Sequence, residues 1–597
     1  MPAITDYGFL SDCHGSALVG RDGSIDWCCM PRFDAPSCFA RILDPMAGHC
    51  ALAPAVPWSA RRAYLDGTLV LATTFTTASG EARLLDAFAM REGGRRRPLR
   101  LLMRVLEGVR GEVPFRLDLV PRFDYGAIRP WLSAGEGLAT AVGGSTALVI
   151  EFDAPMQRRS DHDLVADFKV RAGERVHLRM RYLPPEDLDS LAAWQTSPEA
   201  TDHRLQETIA WWRRWSGKGR AAGPDAPAIH RSAAVLKGLN YAPTGAIVAA
   251  PTTSLPEQLG GPRNWDYRFS WIRDSTFTAR SLAEIGHDGE SVGFGRFIQR
   301  SAAGSAQDLQ IMYGVGGERR LTEVELVGLK GYAGSQPVRI GNAAAEQLQL
   351  DMYGELVMLV WQDYKRGHAP TDDYWPFLVS LVDSAAARVD EPDRGLWEIR
   401  GAPRHFVHSK AMCWAALDRG VALAQALGRQ APVDRWQAKA AEIRAAIELR
   451  GYDQDRGVFT QAYNRPALDA ALLLLPAFGF VDYADPRMMR TADAIQAELG
   501  KDGLVRRYIP ETGVDGLPGG EGAFIACTFW LAECLARQGR VDLAREVFAR
   551  AAATGNDLGL FAEEWDPASG QMLGNFPQGL THLSHMAAAV ALADSTP

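Results

Sequence analysis

The chain has 597 residues, 47% of them hydrophobic and 23% charged, with a net charge of −8. That length exceeds one small core and calls for two or more units. The composition is that of an ordinary globular protein, and its mild acidity argues against a nucleic-acid partner. The one basic block, Arg95, Arg96 and Arg97, reads as a solvated turn. The opening MPAITDYGFLSDCHG lacks a basic segment followed by an apolar one, and the apolar run 471–480 is short and contains Pro476. The expectation is therefore a cytoplasmic protein without a membrane partner. The eight cysteines, at 13, 28, 29, 38, 50, 413, 527 and 534, fit neither a disulfide framework nor a paired zinc site and read as buried thiols.

In chain order, short strand-like segments come first: 16–20, 25–30, 68–75, 101–106, 115–120, 147–152 and 176–182, with turn signals between them. No helices intervene, so an antiparallel β-sandwich over 1–186 is expected, since a parallel sheet needs crossovers. A helical linker is expected over 187–224, with 204–215 rich in Trp and Arg. From 225 to 597 apolar periodicity marks about twelve helices. They fall at 229–241, 270–286, 289–303, 342–366, 371–389, 408–427, 432–449, 467–475, 484–499, 521–538, 540–553 and 578–594. Twelve in succession suit six helical hairpins closed into a ring. An open solenoid would give similar periodicity, but no strict internal repeat supports one.

Four segments of the helical part concentrate Trp, Arg and carboxylates: 261–274 (GPRNWDYRFSWIRD), 395–401 (GLWEIRG), 504–508 (LVRRY) and 559–567 (GLFAEEWDP). Aromatic faces pack on the C–H faces of sugars, while Arg and Asp grip hydroxyls in fixed directions. Glycosidic cleavage needs one carboxyl kept protonated and one kept ionised. Glu398 follows Leu396 and Trp397, an apolar setting that would raise its pKa and suit a general acid. Either Glu563 or Glu564 could supply the base. Singly, each carboxylate has a plainer reading: Glu398 paired with Arg400, and the tandem glutamates on a solvated surface. Convergence of four clusters on one helical unit favours the sugar site. His582 and His585 lie one helical turn apart without a third metal ligand and read as packing. The glycines of 314–317 lack the Lys-Ser/Thr of a phosphate loop and read as a turn.

At these clusters the chain resembles glycoside hydrolase family 15, the glucoamylase and bacterial trehalase family. Residues 6–12 (DYGFLSD), 22–27 (DGSIDW) and 31–34 (PRFD) resemble the N-terminal domain of bacterial members. Residues 271–274 (WIRD), 395–398 (GLWE) and 562–566 (AEEWD) resemble the sugar-binding, general-acid and general-base segments. The resemblance implies a multidomain β + α architecture, an N-terminal antiparallel β-sandwich followed by an (α/α)6 barrel. It implies an inverting exo-hydrolase releasing β-glucose, with Glu398 as acid and Glu563, rather than Glu564, as base. Tyr267, Trp271, Arg273, Asp274, Leu396, Trp397 and Arg507 would bind the terminal glucose, without metal or cofactor. Inversion sets the two carboxyls roughly 6.5–9.5 Å apart, against about 5 Å for retention.

The pattern departs from fungal starch-degrading members at the position after the acid, which is Ile399 followed by Arg400 instead of a second Glu. Residues 337–342 (PVRIGN) resemble the bacterial branch. The leaving-group side therefore differs, and a small soluble substrate is expected, α,α-trehalose first. A glucoamylase or an exo-glucosidase of isomalto-oligosaccharides or dextran is the first alternative. A non-catalytic sugar-binding protein and a lyase or phosphorylase on a helical ring are the others. The expected partner is a small carbohydrate, and assembly into a homo-oligomer is compatible with the sequence.

Overall fold

The computed structural model describes residues 2–135, 137–194, 196–302, 305–510, 513–517 and 520–595, apart from the side chains of 190–194. Gln195 of the expected linker and Ala303 at the end of the third expected helix lie outside the described residues.

The described residues of 7–183 form fifteen strands, and every pairing among them is antiparallel. The 20-residue strand Leu101–Val120 serves two sheets. Its first half pairs with Gly80–Phe88 and Arg175–Leu183, its second with His49–Pro54 and Asp163–Arg171. The expected strands 101–106 and 115–120 are thus halves of one. The polar interval between them is a solvent-facing bend, not a loop. Gly108 and Gly111 permit it: a Cβ on Gly108 would lie 2.0 Å from the Arg171 carbonyl oxygen, and Gly111 has φ +69°. Phe75 and Phe152 of one sheet meet Phe115 and Phe168 of the other, with ring centres 5.3–6.0 Å apart, and so define the sandwich core.

A 3₁₀ segment, Pro185–Trp194, and helix α1 (Pro198–Ser216) link the sheets to the helical part. Pro198 opens α1, and Ser197 caps it by accepting the Ala200 N–H at 3.2 Å. Eleven further α-helices follow: α2 (Ala226–Gly238), α3 (Ile272–Glu284), α4 (Asp288–Ser301), α5 (Asp351–Lys365), α6 (Trp375–Arg388), α7 (Val407–Leu427), α8 (Val433–Arg450), α9 (Pro486–Glu498), α10 (Ile525–Arg537), α11 (Val541–Ala552) and α12 (Gly579–Asp594). α3 contacts α5, α5 contacts α7, α10 contacts α12, and α12 returns to α3. The gap between α7 and α10 is filled by the 3₁₀ turn Ala470–Leu474, which touches both. The inner ring is therefore closed, and α2, α4, α6, α8, α9 and α11 lie outside it in alternation. An open solenoid is excluded.

Two expected helices need correction. The segment 467–475 is not an α-helix but that 3₁₀ turn: the Ala467 carbonyl accepts the Gln461 N–H, the Ala470 N–H donates to the Arg507 carbonyl, and Pro476 follows at its end. The expected helix 342–366 begins only at Asp351; before it lies the 3₁₀ turn Ala343–Glu346, capped by Asn342.

The sheets brace the barrel mouth. The Trp27 indole N–H donates to the Pro251 carbonyl at 2.8 Å. Arg268, paired with Asp266 at 2.6 Å, donates to the Ala35 carbonyl and packs near Trp27 and Tyr125. Tyr267 sits between these two anchored residues. No helix among the described residues is long and apolar enough to cross a membrane.

Candidate active site

Each Trp- and Arg-rich cluster lies in a loop leading into the N-terminal end of an inner helix: α3, α7, α10 or α12. Helix N-termini carry partial positive charge and favour carboxylates beside them. The loops place all nine residues singled out from the sequence around one chamber: Glu398, Glu563, Tyr267, Trp271, Arg273, Asp274, Leu396, Trp397 and Arg507. About 380 Å³ between and in front of its walls is not filled by protein atoms. Ala249, Phe524, Gln578 and Leu580 complete the lining, and no motif in the sequence points to them.

Glu398 sits in a tight turn with backbone φ +58°, its N–H bonded to the Gly395 carbonyl at 3.2 Å. A non-glycine residue in the left-handed region is held there only by its surroundings. Its Oε1 accepts the Trp271 indole N–H at 2.7 Å and an Arg273 N–H at 3.2 Å. Arg400 pairs instead with Glu323. Burial raises the Glu398 pKa; Arg273 opposes this and Asp274 reinforces it.

Glu563 is 2% exposed. Its Oε1 accepts the Tyr267 hydroxyl at 2.8 Å, while Oε2 has no partner among the described residues. Gly574, with φ +77°, leaves room for that oxygen: a Cβ there would stand 2.7 Å from it. The Glu563 carboxyl is pushed up to about 8, first by burial and then by the charge of Glu257, with Arg507 and the Tyr267 hydrogen bond opposing. Glu564 turns the other way, as alternation along extended backbone requires. It accepts the Gly522 N–H at 2.8 Å outside the chamber.

Asp274, 1% exposed, forms an ion pair with Arg273 at 2.9 Å, out of hydrogen-bond alignment. Neither of its oxygens accepts a hydrogen bond among the described residues. Buried acceptors without partners are uncommon, and here they border a chamber suited to hydroxyl donors. The Trp397 ring packs on Phe524 and Trp530, and its N–H donates to Asp469, the cap of the 3₁₀ turn, at 2.8 Å.

A second chamber of about 460 Å³ adjoins the first and shares Tyr267, Trp397, Glu398 and Arg507 with it. Its wall includes Trp265, Asn342, Ile399, Arg400 and Tyr508. Its floor is ionic. Arg263 donates to Asp515 at 2.7 Å and Glu521 at 3.3 Å, and Arg507 donates to Glu521 and to Glu257 at 3.3 Å. Oxygens of Glu257, Glu521 and Glu564 come within 4.8 Å of one another, as metal ligands would, but the guanidiniums of Arg263 and Arg507 already pair with this cluster. A larger hollow lies between sheets and barrel, where Lys237 and Glu290 pair at 2.9 Å.

A model of glycosyl hydrolases family 15 matches residues 223–590, and one described as trehalase-like, N-terminal, matches residues 1–156. A trehalase of Mycolicibacterium smegmatis is 42% identical over 99% of this chain and 91% of its own length. One of Mycobacterium tuberculosis is 41% identical over 99% and 89%. One of Thermoplasma volcanium is 34% identical over 100% and 94%. The chain belongs to glycosyl hydrolases family 15. Among solved structures, a bacterial glucoamylase complexed with acarbose covers 99% of this chain and 94% of its own with a TM-score of 0.73; at 11% identity the likeness is one of fold.

The tandem glutamates are both buried, not surface residues. Ser232 bridges His582 and His585 at 2.9 and 3.1 Å, so these histidines pack α12 against α2. The Gly317 N–H closes a turn onto the Gly314 carbonyl. Arg506 turns to the Leu499 carbonyl, leaving Arg507 alone in the chambers. The outer-chamber residues Arg263, Trp265 and Tyr508 lay inside the sequence clusters, so the signal for them was present. Glu257 and Asp515 lay outside, with no motif to mark them.

Proposed function

We propose that this family 15 glycosidase hydrolyses α,α-trehalose to glucose with inversion, with Glu398 as general acid and Glu563 as general base. The observation that carries this reading is that both carboxyls border one chamber beside Asp274, a buried carboxylate whose oxygens accept no hydrogen bond among the described residues. Full-length likeness to relatives named trehalase supports the substrate.

Trp271 and Arg273 both donate to Glu398 Oε1. In a neutral carboxyl that oxygen is the carbonyl, so the acid proton belongs on Oε2. It passes to the glycosidic oxygen as the bond to C1 breaks. Glu563 Oε2 takes a proton from water as the water oxygen bonds to C1 from the opposite face, and β-glucose results. Asp274 and Arg273 hold the distal hydroxyls of the reacting sugar, and Trp271 and Trp397 pack its faces.

In this reading the chain comprises a sheet domain (1–186), a linker (187–224) and a catalytic domain (225–597). It needs no metal or cofactor and acts on a small carbohydrate. Eight buried free thiols support a cytoplasmic location. The test is NMR of the first-formed anomer with trehalose, maltose, isomaltose and soluble starch side by side. Expected is β-glucose, alongside equimolar α-glucose, fastest from trehalose. Retention of the α-anomer in both halves, or faster release from starch, overturns the reading.

A further inference from the structure

The outer chamber is closed by a contact that the reaction itself does not require. The Arg400 and Gly401 N–H groups both donate to the Asp515 carbonyl at 2.9 Å. The two backbones touch: a Cβ on Gly401 would lie 2.7 Å from the Val514 carbonyl oxygen, and one on Gly516 2.7 Å from the Gly401 nitrogen. Arg394 braces the same segment from beneath by donating to the Gly401 carbonyl. Arg400 is therefore presented from a fixed backbone. Its guanidinium lies 4.5 Å from the centre of the Trp265 ring, that of Arg339 lies 4.8 Å from it, and Glu323 pairs with both arginines. Two guanidiniums thus pack over the Trp265 ring in the wall of the second chamber, and Arg400 brings a donor fork to that wall.

From this geometry we infer that Trp265 and Arg400 determine leaving-group specificity, binding a single sugar ring in the outer chamber. The inference rests on the reaction proposed above and names the part of that site which selects the leaving group. The two chambers are of similar size and share Glu398 at their junction. A sugar leaving from its own anomeric carbon, as in α,α-trehalose, carries its ring oxygen beside the broken bond. That oxygen only accepts hydrogen bonds. A sugar leaving through O4 presents a hydroxyl and a hydroxymethyl group there instead. Arginine only donates, so it can satisfy that ring oxygen, which a carboxylate in its place could not. Arg263 Nε, in the same chamber and without a partner among the described residues, adds a second donor.

The test compares Trp265→Ala, Trp265→Phe, Arg400→Gln and Arg400→Lys on trehalose, maltose, isomaltose and α-glucosyl fluoride. The fluoride's one-atom leaving group occupies none of the outer chamber. The readout is the ratio of kcat/KM on trehalose to kcat/KM on the fluoride. It is expected to fall roughly 10- to 200-fold in Trp265→Ala and Arg400→Gln, and less in the two conservative variants. An unchanged ratio overturns the inference, whether both rates persist or both fall together. A wild-type enzyme that prefers another disaccharide refutes the trehalose reading instead, and the ratio is then taken on that disaccharide.

Discussion

The inner and outer chambers share a wall yet are built differently. The inner one is set by hydrogen bonds from neutral rings, Trp271 to Glu398 and Tyr267 to Glu563, together with one from the Arg273 guanidinium to Glu398. The outer one stands on arginine–carboxylate pairs, with Arg263 and Arg507 among Glu257, Asp515 and Glu521. Neutral donors orient a carboxyl without fixing its charge, so Glu398 and Glu563 remain free to exchange protons. Arginine–carboxylate pairs fix the shape of a wall. One chamber is suited to chemistry, the other to recognition.

The largest effect should come from the two inner carboxyls. Glu398→Gln and Glu563→Gln should each lower kcat by about 10²–10⁴-fold on every substrate, α-glucosyl fluoride included for Glu563, with circular dichroism unchanged. Full activity in either would remove the distinction between the chambers. Next is Gly574→Ala, which pushes a methyl against Glu563 Oε2. It should reduce kcat by roughly 10- to 100-fold with little change in KM, as misplacement of a reacting group does; an effect confined to KM would count against the assigned base.

The third prediction couples the chambers. Glu563 must be ionised to act, and its carboxyl is pushed up to about 8, with burial the main cause and Glu257 the second. kcat/KM should therefore rise with pH towards about 8. Glu257→Gln removes a negative charge, lowers the Glu563 pKa and should move that acidic limb to lower pH. A limb that stays in place would uncouple the two chambers electrostatically. The smallest effect concerns the support behind Arg273. Asp351 is buried, and its carboxyl is raised to about 7 by burial and by Asp393. A raised carboxyl binds its proton more tightly when folded, so it loses native stability as pH climbs from its unfolded value towards 7. Asp351→Asn should raise Tm at pH 8 by more than at pH 5, read by calorimetry.

The inner chamber was legible because its residues lie next to one another in sequence. Trp271, Arg273 and Asp274 flank the start of α3, and Leu396, Trp397 and Glu398 form one turn. Choosing Glu563 over Glu564 needed either the family pattern or the direction of extended backbone, because adjacent glutamates are alike in composition. The outer chamber takes Arg263, Trp265, Arg400 and Tyr508 from the same clusters, but Glu257, Asn342 and Asp515 come from separate segments that only folding brings together. Among the helices, apolar periodicity found the ring but overcalled 467–475, where a leucine-rich run is tied into loop hydrogen bonds and ends at Pro476. The bent strand Leu101–Val120 looked like two because its exposed middle carries the charges of a loop.

The positive φ of Glu398 sets stability against activity at one residue. Glycine adopts that backbone conformation without the roughly 1 kcal/mol that an L side chain costs, so Glu398→Gly should unfold at a higher temperature than the active enzyme while losing its acid. Selection for heat resistance alone, without assay of turnover, would favour discarding the side chain on which hydrolysis depends.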